Sequence, residues 1–155
     1  MEYIIRKIKT DELHILTELF HYHDVDGMIQ ENKASLEKNN IDIFLLFIGS
    51  RPVGELHVMY DNIDTDFAIK NKRAYLYAYR IHKDFQNKGW GKILMQAVLS
   101  ILEKQGYCEF TIGVEDNNER ARHMYINFGF TESISRKMET YQNSSYEYNL
   151  LIKRI

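Results

Sequence analysis

The stretch Gln86-Asn87-Lys88-Gly89-Trp90-Gly91-Lys92 carries the most chemical information in the chain. It lies between a strand-like and a helix-like segment. Gly89 and Gly91 permit backbone conformations and a close approach that side chains obstruct. A helix beginning there aims unpaired N–H groups, and the positive end of its dipole, at whatever sits in the loop. Lys88 and Lys92 add positive charge. The expected ligand is a phosphate, above all a pyrophosphate. The spacing matches neither G-x-G-x-x-G nor G-x-x-x-x-G-K-S/T, and a tight turn that merely starts a helix is the plain structural alternative.

The elements that must position this loop are legible in the hydrophobic pattern. A first strand is expected over Tyr3–Ile8, then a helix capped by Thr10, with Asp11 and Glu12 in its first turn and Leu13, Leu16, Leu19 and Phe20 at helical spacing. The polar run 21–27 leads into a weaker helix ending near Asn39. Strands Ile41–Ile48 and Val53–Tyr60 flank a turn over Gly49–Pro52, and Asp61–Lys72 reads as a loop. The strand Ala74–Ile81 follows, with Tyr75, Tyr77, Tyr79 and Ile81 on one face by alternation. Beyond Gly91 a helix buries Leu94, Ala97, Val98, Ile101 and Leu102 and ends at Gly106. A buried strand Tyr107–Val114, a helix from about Asn118 to Phe128 closed by Gly129, and a hairpin of Thr131–Glu139 with Tyr146–Lys153 complete the chain. The order is mixed α/β.

Composition narrows the function classes. The 155 residues include one proline, eight glycines and 45% hydrophobic residues, the profile of one soluble domain over 1–155 with a sizeable core. Twenty basic against twenty-two acidic residues give a net charge of −2, which disfavours a nucleic-acid partner. Cys108 is the sole cysteine, which excludes an internal disulfide and a cysteine-built zinc site. It reads as an inert core thiol. The first residues lack the apolar core of a secretory signal, and no run approaches eighteen apolar residues, so no membrane partner and a cytoplasmic location are expected.

Two separated segments resemble the GNAT superfamily of N-acetyltransferases. Gln86 to Gly91, after the strand ending Arg80-Ile81, fills every specified position of that family's Q/R-x-x-G-x-G/A motif. Asn118 to Phe130 is similar to its N-x-x-A-x-x-x-Y-x-x-x-G-F signature, through Asn118, Ala121, Tyr125, Gly129 and Phe130. The resemblance covers roughly residues 74 to 130. It implies a mixed, mostly antiparallel sheet of about six to seven strands flanked by about four helices. It also implies acetyl-CoA as co-substrate, without a metal. The resemblance gives Tyr79 and Ile81 backbone pairing with the pantetheine arm, and the Ile81 N–H polarisation of the thioester carbonyl. Backbone amides from Gln86 through Asn87, Lys88, Gly89 and Trp90 to Gly91 would hold the pyrophosphate, beside the charge of Lys92. Asn118 and Ala121 would flank the pantetheine. Tyr125 would protonate the departing thiolate; a buried core tyrosine is the ordinary alternative.

The attacking amine needs a base, and the position where some members carry a glutamate is Tyr75 here. Glu55 and Glu115 are the candidates, with His82 weaker, and each taken singly reads more readily as a surface residue. Asp24, Asp26, Asp61, Asp64 and Asp66 lie in the loops where the acceptor is expected; they would attract a cationic amine or stand as solvated charge. The tyrosine stripe reads more readily as sheet packing than as a substrate cage. His21, His23 and Asp24 make only a weak metal pattern. The expected activity is acetyl transfer to a primary amine by direct attack, with a small-molecule amine favoured. A protein N-terminal or lysine acceptor and a non-catalytic acyl-CoA sensor are the alternatives. Family members often pair through their carboxy-terminal strands, and the apolar Tyr148–Ile155 tail suits a homodimer.

Overall fold

The computed structural model describes residues 2–141 and 143–155. Their elements are β1 (Tyr3–Lys7), a 3-10 turn (Thr10–Ile15), α1 (Leu16–Leu19), α2 (Val25–Glu37), β2 (Ile41–Ile48), β3 (Arg51–Met59), β4 (Arg73–Ile81), α3 (Trp90–Lys104), β5 (Glu109–Glu115), α4 (Glu119–Phe128), β6 (Glu132–Tyr141) and β7 (Ser144–Arg154). The strands hydrogen-bond in the order β1-β2-β3-β4-β5-β7-β6. This is a mixed α/β fold with a mostly antiparallel, open seven-stranded sheet. The chain divides into two compact units, Met1–Met59 with Ala78–Leu102 and Tyr60–Tyr77 with Glu103–Ile155.

In the first unit β1 runs antiparallel to β2, and β2 to β3. The odd-numbered residues Ile41, Ile43, Leu45 and Phe47 of β2 face the amino-terminal helices, where they bury Ile8, Leu13, Leu16 and Leu19. The first turn opens at Lys9, not Thr10: the Glu12 carboxylate reaches back to accept the Lys9 N–H at 2.9 Å, supplying the cap that a threonine hydroxyl was expected to give. Pro52 lies inside β3, opposite Phe47 where the β2–β3 register shifts, a place that tolerates its missing N–H. The buried stripe of α3 is Leu94, Met95, Val98, Leu99 and Leu102. Ala97 and Ile101 are only half-buried, because the helix is turned further toward Met95 and Leu99 than the pattern indicated.

In the second unit the amino-terminal half of β4 pairs in parallel with β5 over Arg73–Leu76, β5 pairs antiparallel with β7, and β7 with β6. The hairpin is longer than its apolar residues suggested, because its outer turns are polar ladder positions. Tyr148, Leu150, Leu151 and Ile152 are buried in β7, between β5 and β6. The Tyr148–Ile152 part of the apolar tail therefore packs in the chain's own core, while Ile155 is exposed. Gly129 closes α4 at φ +107°, the left-handed terminator its position predicts. Cys108 is exposed, ahead of β5, so it is not the core thiol expected. No helix among the described residues is long and apolar enough to cross a membrane.

Candidate active site

β4 carries the irregularity on which the site depends. Ala78 sits at φ +49°, a left-handed conformation that costs a non-glycine residue on the order of 1 kcal/mol and interrupts the strand's alternation. Tyr75 and Tyr77, before the interruption, stack with ring centroids 5.2 Å apart. Tyr79, after it, donates its hydroxyl to the Gly91 carbonyl. The stripe is thus not one uniform face. The His82 N–H bonds to the Val53 carbonyl of β3 at 2.8 Å, so by period two the N–H and C=O of Ile81 and Tyr79 turn to the opposite edge. There the Ile81 carbonyl accepts from the Gln86 side chain at 2.9 Å. Gln86 therefore ties the loop to the strand end.

The loop is tightly turned and leads straight into a helix N-terminus. Asn87 and Gly89 both adopt positive φ, +62° and +88°, and a Cβ at Gly89 would meet nothing within 4 Å. At Gly91 the constraint is contact: a Cβ would lie 2.9 Å from the Tyr79 hydroxyl. The fifteen-residue α3 starts at Trp90 with no acidic residue in its first turn, so its dipole and N–H groups meet no competing carboxylate there. Trp90 packs edge-on against Tyr3, centroids 5.6 Å apart, and Lys88 and Lys92 are exposed. The Lys88 ammonium donates to the Asp84 carbonyl at 3.3 Å.

The second unit holds a cleft of about 440 Å³ lined by Gly113, Val114, Glu115, Asn117, Asn118, Ala121 and Tyr125. Asn118 caps α4, its Oδ1 accepting the Ala121 N–H at 3.1 Å, which turns its NH₂ donors to the remaining directions. Tyr125 is 9% exposed, with Phe130 edge-on at 6.3 Å. Burial pushes its phenol up to about 12. Glu115 is exposed at the rim of the same cleft.

Glu55 is not the surface residue expected. It is fully buried, and its Oε1 accepts from Arg80 Nε at 3.0 Å and Nη2 at 2.6 Å, with His57 Nε2 3.6 Å away. Among the described residues its Oε2 has no hydrogen-bond partner. The Arg80 guanidinium lies 3.9 Å over the Phe20 ring and donates to the Tyr22 hydroxyl at 3.1 Å. The Glu55 carboxylate outweighs burial and holds Arg80 above its ordinary value. Sequence reasoning missed this cluster, because a glutamate within an apolar strand carries no signal that an arginine of the next strand will meet it. His82 uses its Nδ1 to accept the Asp84 N–H at 3.2 Å. Asp64 and Asp66 are committed to Lys137 at 2.8 and 2.7 Å, and the Asp24 side chain caps α2 through the Gly27 N–H, so these three do not form a free acidic lining. Among the described residues no group of three or more His, Cys, Asp or Glu could hold a metal ion.

Comparison with known proteins places this geometry in a family. The model of the acetyltransferase (GNAT) family matches residues 9–130. The chain belongs to that family: it is an N-acetyltransferase that uses acetyl-CoA. No curated protein sequence matches it. Among solved structures it is similar to the ribosomal-protein-S18-alanine N-acetyltransferase from Escherichia coli, at 17% identity, TM-score 0.75, and coverage of 99% of this chain and 94% of that one. A spermidine N-acetyltransferase chimera from Vibrio cholerae and hSSAT is 14% identical, TM-score 0.76, covering 99% and 96%. The PaiA N-acetyltransferase from Thermoplasma acidophilum, in complex with coenzyme A, is 20% identical, TM-score 0.66, with both chains fully covered. At these identities the likeness is one of fold.

Proposed function

We propose that residues 1–155 act as one catalytic domain that moves the acetyl group of acetyl-CoA to a primary amine of a small molecule by direct attack. The observation that carries this reading is Tyr125, a buried phenol on the wall of a cleft that also holds Asn118, Ala121 and Glu115. The cradle of Asn87, Gly89 and the α3 N-terminus fits a pyrophosphate, and Gln86, Lys88, Trp90, Gly91 and Lys92 build or flank it. Acetyl-CoA, when bound, supplies the activated thioester. The chain's part is to hold and orient it: the Tyr79 and Ile81 backbone lines up the pantetheine arm, and the Ile81 N–H donates to the acetyl oxygen, where negative charge develops. Asn118 presents its NH₂ donors on the wall of the second unit's cleft. Tyr125 stays protonated across the physiological range and hands its proton to the leaving sulfur.

Glu115, exposed on the cleft, is the base best placed to take the amine's proton, directly or through one water. Glu55 is the second candidate through Oε2, since Arg80 engages Oε1. A peptide amino terminus is the alternative acceptor. Thiol release from acetyl-CoA across a panel of small amines and peptides decides between them. Turnover of small amines is expected; turnover confined to peptides would overturn the small-molecule reading.

A further inference from the structure

Beside Glu115, one face of the second unit's sheet gathers tyrosines and a further carboxylate, Glu139, for which the transfer step has no use. Register places them together: Tyr75 pairs with Thr111, Glu115 with Tyr148, and Glu139 with Tyr146. Side chains alternate along each strand, so Tyr75, Tyr77, Glu115, Tyr148, Tyr146 and Glu139 share that face. The Tyr146 hydroxyl donates to Glu139 Oε2 at 2.7 Å and the Tyr148 hydroxyl to Oε1 at 2.8 Å. Each oxygen retains a second lone pair for an incoming donor. Gly113 makes room for this arrangement, since a Cβ there would lie 2.8 Å from the Tyr148 ring. The ring thereby extends from Glu139 toward the cleft that Gly113, Glu115 and Tyr125 line. The Tyr75 hydroxyl feels the charge of Glu139 and lies within electrostatic reach of Tyr125.

We propose that this face receives a second positive charge of the acceptor, so that the preferred substrate is an alkyl diamine or polyamine. Its distal ammonium is held by Glu139 within the frame of Tyr75, Tyr146 and Tyr148, while its other amine is acetylated. The inference rests on the amine-acetylation reading above. A carboxylate pre-set by two O–H donors accepts charge-assisted hydrogen bonds from an ammonium, and the tyrosine faces attract the same cation. Glu139 and Glu115 stand two strands apart and two residues out of step, about 12 Å between backbone positions. They therefore meet the two ends of one extended molecule, not a single ammonium. A monoamine of equal length gains nothing from Glu139.

The test titrates 1,4-diaminobutane and butylamine calorimetrically into the full chain saturated with CoA, and follows thiol release from acetyl-CoA with the same amines. The diamine is expected to bind on the order of tenfold more tightly than the monoamine. Glu139→Gln should erase that preference by raising the KM of the diamine about tenfold, with the KM of acetyl-CoA within twofold. Tyr146→Phe removes one hydroxyl from an outer ring and should move the same ratio a few-fold in the same direction; it decides the matter if Glu139→Gln fails to fold. Equal binding of both amines by the wild type, or an unchanged ratio in the variants, overturns the proposal. Transfer to other amines without a diamine preference overturns it and leaves the acetyltransferase reading intact. Diamine bound through Glu139 with no transfer to any amine supports the site and sinks the transfer reading.

Discussion

Replacing Tyr125 by Phe isolates one proton. The ring is 9% exposed and packs edge-on to Phe130, and both features survive loss of the hydroxyl. Burial pushes the phenol up to about 12, whereas a thiol's ordinary value is about 8.5. Full transfer from that phenol to an ordinary thiolate is therefore uphill by roughly 5 kcal/mol at 1.36 kcal/mol per pH unit. The proposed step is accessible where the departing sulfur is itself stripped of water. Without the donor the sulfur must leave as a bare thiolate, and general-acid assistance of about 10²- to 10⁴-fold is lost. The assay is thiol release under saturating acetyl-CoA and amine, with acetyl-CoA affinity measured separately. Tyr125→Phe should lower kcat by at least about 100-fold, while acetyl-CoA binds within a few-fold of wild type. The same burial fixes a pH signature: the acid stays protonated, so kcat should not fall near pH 10, where an ordinary tyrosine ionises. A variant retaining half of the wild-type kcat, or an alkaline limb at pH 10 that vanishes in the variant, refutes the reasoning.

Further outcomes follow from the packing. Tyr125, Tyr75 and Tyr148 all have pKa values raised chiefly by burial, so the folded chain holds their protons longer than the unfolded one. Their contribution to stability is complete below about pH 10 and is lost as pH rises toward 12; urea midpoints should fall steeply over that window and stay flat between pH 7 and 9. Gly91→Ala should weaken CoA binding about tenfold, because its Cβ meets the Tyr79 hydroxyl at 2.9 Å, and adding Tyr79→Phe should restore part of the loss in calorimetric titrations. Arg80→Met strands the fully buried Glu55 without its partner and should cost about 3 kcal/mol, read by urea denaturation. Retention of wild-type stability would mean that Glu55 is neutralised in some other way.

How much of this was open to the sequence depended on the range of the interaction. Local rules located the tight turn and the start of α3, since Gly89 just before the fifteen-residue apolar-striped helix and Gly91 in its first turn specify them whatever surrounds them. They located Asn118 and Gly129 as the two ends of α4, because a cap and a left-handed stop act within four residues. The family motifs lie in those same local segments. What the sequence left open was every pairing between distant residues. Glu55 reads as a solvated charge until β4 brings Arg80 to it across 25 positions. Asp64 and Asp66 read as free acceptors until β6 brings Lys137 across more than 70. Glu139 carried no signal at all, and only the β6–β7 register set it under two tyrosine hydroxyls. Local conformation is fixed by sterics and hydrogen bonds among neighbours in the chain. The electrostatic state of a side chain is fixed by what the folded sheet places beside it, and that the sequence alone does not contain.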